Sequence, residues 1–388
     1  MSDTSPRFEV DHNVYILGAG FSVDASMPTL ATFLNRMRDS TSWLESTGAH
    51  RELDAVKSVL AFRRRAAGAA YRVNVNVDNI EELFSLASAR PEQDLVEAVP
   101  LAICATLRFC EATSGSRPRH RVGWRDQGAE EGWLTPVKWK TATAHAPTVA
   151  DFRYDLTSHD WYAGVISGRL TRGTQTARNS VITFNYDTEL ERGLDSFGDV
   201  GYRYGIEGEA NVECEYPQPA DPVRALSILK IHGSMNWGID NTGDRVVIRP
   251  SYEDLRSRED LVPLILPPTW QKQFAGHLQR VWQMAIAALE TATRIIVVGF
   301  SVPATDSHFK YLLAAGLQEN ISLRQLVFVN PDSRTPRARL LRLLRPYAMN
   351  SGTIVPVQTD AHNFFFDAEW LQKIGRARAE VNIPITQP

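Results

Sequence analysis

The chain has 388 residues, of which 43% are hydrophobic and 22% are charged, and its formal net charge is -3 at pH 7. Because this charge is close to zero, no overall positive field favours direct nucleic-acid binding, and the longest apolar runs, such as Ile295–Phe300, are far shorter than the ~20 residues that cross a bilayer. The polar N-terminus lacks the apolar core of a signal peptide, so we expect a cytoplasmic protein without a membrane partner.

The cysteine content argues against both a disulfide framework and a structural zinc site. The three cysteines, Cys104, Cys110 and Cys214, are odd in number and scattered along the chain, which is not the pattern of a disulfide-stabilised fold. No Cys-x-x-Cys pair occurs, so a zinc ribbon would lack its ligands. No cluster of His, Asp or Glu has convincing ligand spacing either, and we therefore expect no metal.

The N-terminal part of the chain is predicted to contain one strand followed by several helices. Val14–Leu17 is short, apolar and bounded by glycine, which is typical of a buried strand. Pro28 suits the first turn of a helix, and the apolar spacing predicts that this helix runs from Pro28 to Arg38. Further helical patterns cover Arg51–Arg65, Asn79–Ala89 and Gln93–Cys110.

The segment Arg117–Ala150 has no clear period and is predicted to be an irregular insert. It carries Pro, Gly and Arg together with Trp124, Trp133 and Trp139. Packing is the default role of such tryptophans, and an oligomer surface or a lid are the alternatives. A helix is predicted after this segment, over the stretch that contains Tyr154, Trp161, Tyr162 and Val165.

Strands alternate with helices in the second half of the chain, where a long helix is predicted at Trp270–Ala292. This alternation predicts an α/β fold with a Rossmann-like, doubly wound parallel sheet. We expect residues 1–40 and 176–388 to form that core and residues 41–175 to form a mostly helical insert. The predicted strands are Ser180–Phe184, Leu226–His232, Arg245–Ile248, Arg294–Phe300 and Gln325–Val329.

A glycine-rich turn follows the first predicted strand. Gly18 and Gly20 permit a tight turn and close approach to a pyrophosphate, and Ser22 adds a hydroxyl donor. A dehydrogenase fingerprint would place a third glycine where Val23 lies and an acidic residue at the end of a second strand. A Walker-type ATPase loop would end in Lys-Ser or Lys-Thr. Both classes are therefore disfavoured, and the turn either holds a phosphate or serves packing alone.

Polar residues follow several of the later strands. Asn185 and Asp187 follow one strand, His232 ends another, and Ser301 and Asn330 follow two more. Each of them alone is typical of a turn or of a structural histidine. In a parallel sheet, however, ligands bind outside the carboxyl ends of the strands. Together with the glycine turn, these residues therefore predict one shared site.

In the same order along the chain, these motifs resemble those of the sirtuin family, and the resemblance covers the core but not the insert. Two departures argue against protein deacylation: Thr29-Leu30-Ala31 stand where sirtuins have Asp-Phe-Arg, and the four cysteines of the zinc ribbon are missing. The motifs are more similar to those of the sirtuin-like NAD hydrolases of prokaryotic anti-phage systems. The matching stretches are Gly18-Ala19-Gly20-Phe21-Ser22, Ser26-Met27-Pro28, Thr183-Phe184-Asn185-Tyr186-Asp187, His232-Gly233, Gly299-Phe300-Ser301 and Asn330.

The resemblance implies that NAD is the substrate and that no zinc is needed. It implies that Asn185 holds the attacking water and a ribose hydroxyl, and that His232 is the general base. Asp187 is counted with the catalytic residues because it would orient Asn185, and a purely structural turn is the alternative. The NAD-binding residues implied by the resemblance are Gly18, Ala19, Gly20, Phe21, Ser22, Pro28, Gly299, Ser301 and Asn330.

By the same resemblance, the chain is expected to cleave NAD to nicotinamide and ADP-ribose in anti-phage defence. A homo-oligomer is expected, and a HerA-type ATPase is the expected partner. One alternative is a subunit of a defence complex that binds NAD or ADP-ribose as a sensor without turnover. A protein deacylase is the third hypothesis, and the two departures disfavour it.

Overall fold

The structure is a computed structural model of the chain. It describes residues 11–70, 72–89, 93–115, 117, 119–123, 132–133, 135–136, 152–168, 171–172, 178–198, 201–216, 218–219, 225–267, 276–302, 307–332, 338–339 and 354–367. Most of the tryptophan-containing segment predicted as an irregular insert lies outside these residues, including Trp124 and Trp139.

The described residues form helices and strands in a mixed α/β order. The helices are α1 (Phe33–Ser46), α2 (His50–Ala70), α3 (Ile80–Ala89), α4 (Gln93–Thr113), α5 (Ser158–Ile166), α6 (Glu189–Asp195), α7 (Tyr252–Arg256), α8 (Gln279–Glu290), α9 (Ser307–Leu317) and α10 (Ala361–Phe365). The strands are β1 (His12–Leu17), β2 (Arg119–Gly123), β3 (Gly132–Trp133), β4 (Thr135–Pro136), β5 (Phe152–Thr157), β6 (Thr171–Arg172), β7 (Arg178–Thr183), β8 (Tyr202–Arg203), β9 (Val212–Cys214), β10 (Leu226–Lys230), β11 (Gly233–Asp240), β12 (Val246–Ile248), β13 (Leu261–Ile265), β14 (Arg294–Val298), β15 (Gln325–Val329) and β16 (Ile354–Val357).

Seven strands form one parallel sheet in the order β16-β15-β14-β1-β7-β10-β8. The predicted α/β fold with a parallel, Rossmann-like sheet is therefore confirmed. All six residues of β1 are buried, as expected for a strand covered on both faces. The chain leaves β1 to build β7 and β10 on one side and β14, β15 and β16 on the other. This reversal of direction opens a crevice beside the carboxyl end of β1, where such sheets bind ligands.

A second layer of structure lies beside this sheet. Buried residues of α1 to α4 form one hydrophobic cluster with residues of a four-stranded sheet of order β13-β11-β12-β9. Met235 and Ile265 of that sheet belong to this helical cluster. Trp161 and the other buried residues of α5 instead belong to the cluster around the seven-stranded sheet. The predicted division into residues 1–40 with 176–388 and residues 41–175 stays a prediction.

Several predicted element boundaries were wrong. The helix predicted from Pro28 begins at Phe33, because Thr29 and Thr32 form a turn in which the Thr29 N–H donates to Thr32 Oγ1 at 3.0 Å. Tyr154 lies in β5 and not in a helix. Within the described residues, the helix predicted from Trp270 covers Gln279–Glu290.

No helix in the described ranges combines the length and apolarity needed to cross a membrane.

Candidate functional site

A cavity of ≈ 530 Å³ opens at the carboxyl edge of the seven-stranded sheet. It is lined from loops that follow six of the strands, including those at whose ends the sequence predicts one shared site. Five steps between neighbouring strands at about 4.8 Å give the rim a length of roughly 24 Å. In spatial order the lining residues are Asp360 after β16, Asn330 after β15, Gly299 and Ser301 after β14, Ala19 and Gly20 after β1, Asn185 and Asp187 after β7, and His232 after β10.

The glycine turn after β1 is packed against the loop after β14, backbone to backbone. The Gly20 N–H donates to the Gly299 carbonyl at 2.8 Å. A Cβ added to Gly18 would lie 2.7 Å from the Cα of Phe300, and one added to Gly20 would lie 2.7 Å from the Cα of Gly299. Gly299 itself has a φ of +65°, which favours glycine. The glycines are therefore required to join the two loops, whatever ligand the loops hold.

The side-chain amide of Asn185 is fixed by the glycine turn. Its Nδ2 donates to the Gly18 carbonyl at 3.0 Å and to Ser22 Oγ at 3.1 Å. Because a carbonyl oxygen can only accept, the nitrogen must be the atom that faces Gly18. Both amide hydrogens are thus used by the turn, and Oδ1 is the group of Asn185 that can serve the cavity.

Asp187 lies under the same turn and completes this network. Its Oδ1 accepts from Ser22 Oγ at 3.1 Å and from the Glu189 N–H at 3.2 Å. Burial raises the pKa of Asp187 to about 6, although the Lys230 charge acts against this. Lys230 Nζ donates to the Asp187 carbonyl and pairs with Glu191 Oε1 at 3.0 Å. The geometry makes Asp187 a residue that positions Ser22 and, through it, Asn185.

His232 lines the cavity at its β10 end. Its side chain is buried, and its ring lies 5.2 Å from the ring of Phe184 in an edge-on arrangement and 6.3 Å from that of Tyr186. The backbone of His232 is held in place by the residue after β13, since the Leu266 N–H donates to the His232 carbonyl at 2.9 Å. The imidazole and the amide of Asn185 therefore face one cavity from neighbouring strands, β10 and β7.

The predicted NAD-binding residues divide into two groups. Ala19, Gly20, Pro28, Gly299, Ser301 and Asn330 line the cavity, whereas Gly18, Phe21 and Ser22 lie behind its wall. The Phe21 ring is buried and packs against the rings of His159, Tyr162 and Phe365. Asn330 lines the cavity but also ties its rim together, because Nδ2 donates to the Phe300 carbonyl at 3.3 Å and Oδ1 accepts from the Asp332 N–H at 3.0 Å. Its contact with a ribose stays a prediction.

Sequence reasoning missed three carboxylates that also line the cavity, Asp24, Glu81 and Asp360. Asp24 accepts a hydrogen bond from the Tyr162 hydroxyl and lies 3.3 Å from His362 Nδ1. Asp360 caps α10 by accepting from the Asn363 N–H at 2.7 Å. Glu81 comes from α3, far from every motif in the sequence. Only Asp24, four residues after Gly20, had a local signal that could have drawn attention to it.

No group of three or more His, Cys, Asp or Glu side chains that could hold a metal ion occurs among the residues that the structure describes. The three cysteines are free thiols, and Cys104 and Cys110 are buried. Burial raises the pKa of Cys110 to about 11, which disfavours the reactive thiolate.

Comparison with known protein families finds a match over part of the chain. Residues 179–349 match the model of the SIR2-like domain, and this stretch contains Asn185, Asp187, His232, Ser301 and Asn330. The resemblance found in the motifs is thus supported over that part of the chain, while the glycine turn precedes it. No curated protein matches the chain.

Among solved structures, Sir2Tm bound to a propionylated peptide is 13% identical, with a TM-score of 0.37 and coverage of 92% of this chain and 91% of that chain. A Sir2 complex with a p53 peptide and NAD+ is 14% identical, with a TM-score of 0.36 and coverage of 92% and 91%. A structure on the basis of sirtuin substrate affinity is 14% identical, with a TM-score of 0.41 and coverage of 95% and 96%.

Proposed function

We propose that the chain is an NAD glycohydrolase, a hydrolase acting on the N-glycosyl bond that joins nicotinamide to ribose. The observation that carries the proposal is that Asn185 and His232 line one cavity beside the glycine turn. They lie 47 residues apart in sequence and follow adjacent strands β7 and β10. The match of residues 179–349 to the SIR2-like domain supports the coarser part of this proposal, an enzyme that acts on NAD.

The sheet order supports the orientation of the substrate. The glycine turn after β1 lies at the centre of the rim, where the lack of side chains lets a pyrophosphate approach the backbone closely. Asn185 and His232 lie on the β7–β10 side, and the adenosine half is assigned to the β14–β16 side, with Ser301 and Asn330. An extended dinucleotide laid along this edge brings its nicotinamide ribose to Asn185.

The reaction develops positive charge on the ribose as nicotinamide leaves, as in other glycoside cleavages. Asn185 Oδ1 accepts from a ribose hydroxyl or from the attacking water and holds it below C1′, because both hydrogens of its amide are committed to Gly18 and Ser22. His232 takes the proton of the water as it attacks, a role for which imidazole has a suitable pKa. The products are nicotinamide, ADP-ribose and one proton.

The test is nicotinamide release from NAD by the purified chain, measured by chromatography with mass detection, with and without a co-purified HerA-type ATPase. Asn185→Ala and His232→Ala should each lower the rate by about 10²-fold or more in protein that still unfolds cooperatively. Asn35→Ala and His50→Ala change the same residue types at exposed positions and should leave turnover intact. Full turnover in both cavity variants contradicts the assignment.

The second candidate is a subunit that senses NAD or ADP-ribose without turnover. It is favoured by the dense hydrogen bonding of Asn330, which builds a rim suited to binding the adenosine half. Binding of NAD to the chain, with no nicotinamide released in either condition, would favour this candidate. A deacylase would give O-acyl-ADP-ribose from an acyl-lysine peptide, and we expect none.

We further propose that the activity depletes NAD in anti-phage defence, in a homo-oligomer that assembles with a HerA-type ATPase in the cytoplasm. These expectations come from the resemblance of the motifs. Co-expression of the chain with such an ATPase, followed by size-exclusion chromatography with light scattering, tests the assembly. Phage infection of cells carrying wild type or Asn185→Ala, with intracellular NAD followed over time, tests the defence role.

A further inference from the structure

We propose that Arg117 is a positioning residue for Asn185, acting through a continuous chain of polar contacts, and the proposal rests on the proposed function of the cavity. Arg117 does not line the cavity. It lies between α4 and β2, at the first residue of the tryptophan-containing segment. Its guanidinium nevertheless holds the residue at which the catalytic loop turns into α6.

The first link is a bidentate ion pair between Arg117 and Glu189, the first residue of α6. Arg117 Nη1 lies 2.5 Å from Glu189 Oε2, and Nη2 lies 3.0 Å from Oε1. The Glu189 side chain is 0% exposed and that of Arg117 is 18% exposed. A planar guanidinium fixes both the position and the plane of a carboxylate that it binds in this way.

The remaining links run from Glu189 to the cavity. The Glu189 N–H donates to Asp187 Oδ1 at 3.2 Å, and Ser22 Oγ donates to the same oxygen at 3.1 Å. Ser22 Oγ in turn accepts from Asn185 Nδ2 at 3.1 Å. Each contact restricts the next group, so a change in the placement of Glu189 reaches the amide that holds the attacking water.

The charges around this pair make the arginine necessary at its position. Glu111 of α4 and Arg192 of α6 complete the group, with Arg192 Nη1 lying 3.6 Å from Glu111 Oε1 and 3.2 Å from Glu189 Oε1. Arg192 is half exposed and contributes little by itself. Arg117 is therefore the cation that accompanies the Glu189 carboxylate into the interior, where an unpaired charge is strongly unfavourable.

The experiment compares Arg117→Met, Glu189→Gln and the double variant, using turnover, ADP-ribose affinity and melting temperature. Arg117→Met leaves Glu189 with the half-exposed Arg192 as its remaining cation, and the melting temperature should fall. The double variant removes both charges and should recover its melting temperature, yet its kcat should remain about 10-fold or more below wild type. Its affinity for ADP-ribose should change less than about threefold, because the pyrophosphate and adenosine contacts lie on other strands. Arg117→Lys should recover only part of kcat, because an ammonium cannot bind both oxygens.

A second readout does not depend on turnover. In protein labelled with ¹⁵N-asparagine, the side-chain signal of Asn185, assigned by its loss in Asn185→Asp, should shift or broaden in the double variant. The matched control is Arg245→Met with Glu213→Gln, an exposed pair at 2.9 Å, which should alter neither readout. Wild-type kcat or an unchanged Asn185 signal in the folded double variant overturns the role of Arg117. Absence of nicotinamide release from wild type, with the signal change present, overturns the proposed hydrolase alone.

Discussion

The carboxyl group of Glu111 provides a stability prediction with a defined pH dependence. Burial, followed by the nearby Glu189 carboxylate, raises the pKa of Glu111 from 4.5 to about 7 in the folded protein. Between these two pH values the folded protein keeps a proton that the unfolded chain has released. The free energy of unfolding must therefore fall as the pH rises from 4.5 to about 7.

Glu111→Gln removes this titration while keeping the shape of the side chain. The shift in pKa from 4.5 to about 7, at about 1.36 kcal/mol per unit, lowers the free energy of unfolding of the wild type by about 3 kcal/mol at pH 8. Glu111→Gln should be more stable than wild type by this amount. At pH 5 the difference between the two proteins should be less than about 1 kcal/mol by the same relation. The lost contact with Arg192, which is half exposed, subtracts little from this gain.

The assay is urea unfolding of both proteins at pH 5, 6, 7 and 8, followed by tryptophan fluorescence. The contributions of groups that titrate in both proteins cancel when the free energy of unfolding of the wild type is subtracted from that of the variant. Glu45→Gln, at an exposed position of α1, is the control and should show no difference that grows with pH. A variant less stable than wild type at pH 8, or a difference that does not change between pH 5 and pH 8, refutes the reasoning.

Three further substitutions test the packing and the polar contacts beneath the cavity. Gly18→Ala should lower the melting temperature and reduce NAD binding, because its Cβ would lie 2.7 Å from the Phe300 Cα; retained stability and binding contradict this. Lys230→Met leaves the buried Glu191 carboxylate unpaired and should cost about 3–5 kcal/mol in urea unfolding. Ser22→Ala removes the hydroxyl between the amide of Asn185 and the carboxylate of Asp187, and should lower nicotinamide release by about 10-fold or more with ADP-ribose binding kept.

The central sheet could be predicted because each of its main strands has a recognisable local sequence pattern. β1, β7, β10, β14 and β15 are short apolar runs that end in a turn, and each is recognisable without its neighbours. The helix after the glycine turn was predicted to begin too early, at Pro28, because proline occurs both in the first turn of a helix and in loops. The hydroxyl of Thr32 decides the matter, and its contact with Thr29 exists only once the turn has formed.

The candidate site was predictable where it follows strands and unpredictable where it depends on the helical layer. Asn185 and His232 are placed by β7 and β10, so the strand order alone brings them together. Glu81 is placed by α3, and its approach to the cavity depends on how the helical cluster packs. Arg117 was likewise invisible, because its partner Glu189 lies 72 residues away. Contacts of this kind are set by tertiary packing and leave no local pattern.

The central position of β1 has a consequence for synthesis on the ribosome. The contacts of His12 with Ser180 of β7 and with Thr293, which precedes β14, cannot form until those residues, 168 and 281 positions later, have been synthesised. At about 5–20 residues per second, translation of that stretch takes on the order of 15 seconds to a minute. Until then the nascent polypeptide has no crevice in which to hold a dinucleotide. Incomplete copies of the chain therefore lack the cavity to which the proposed NAD hydrolysis is assigned.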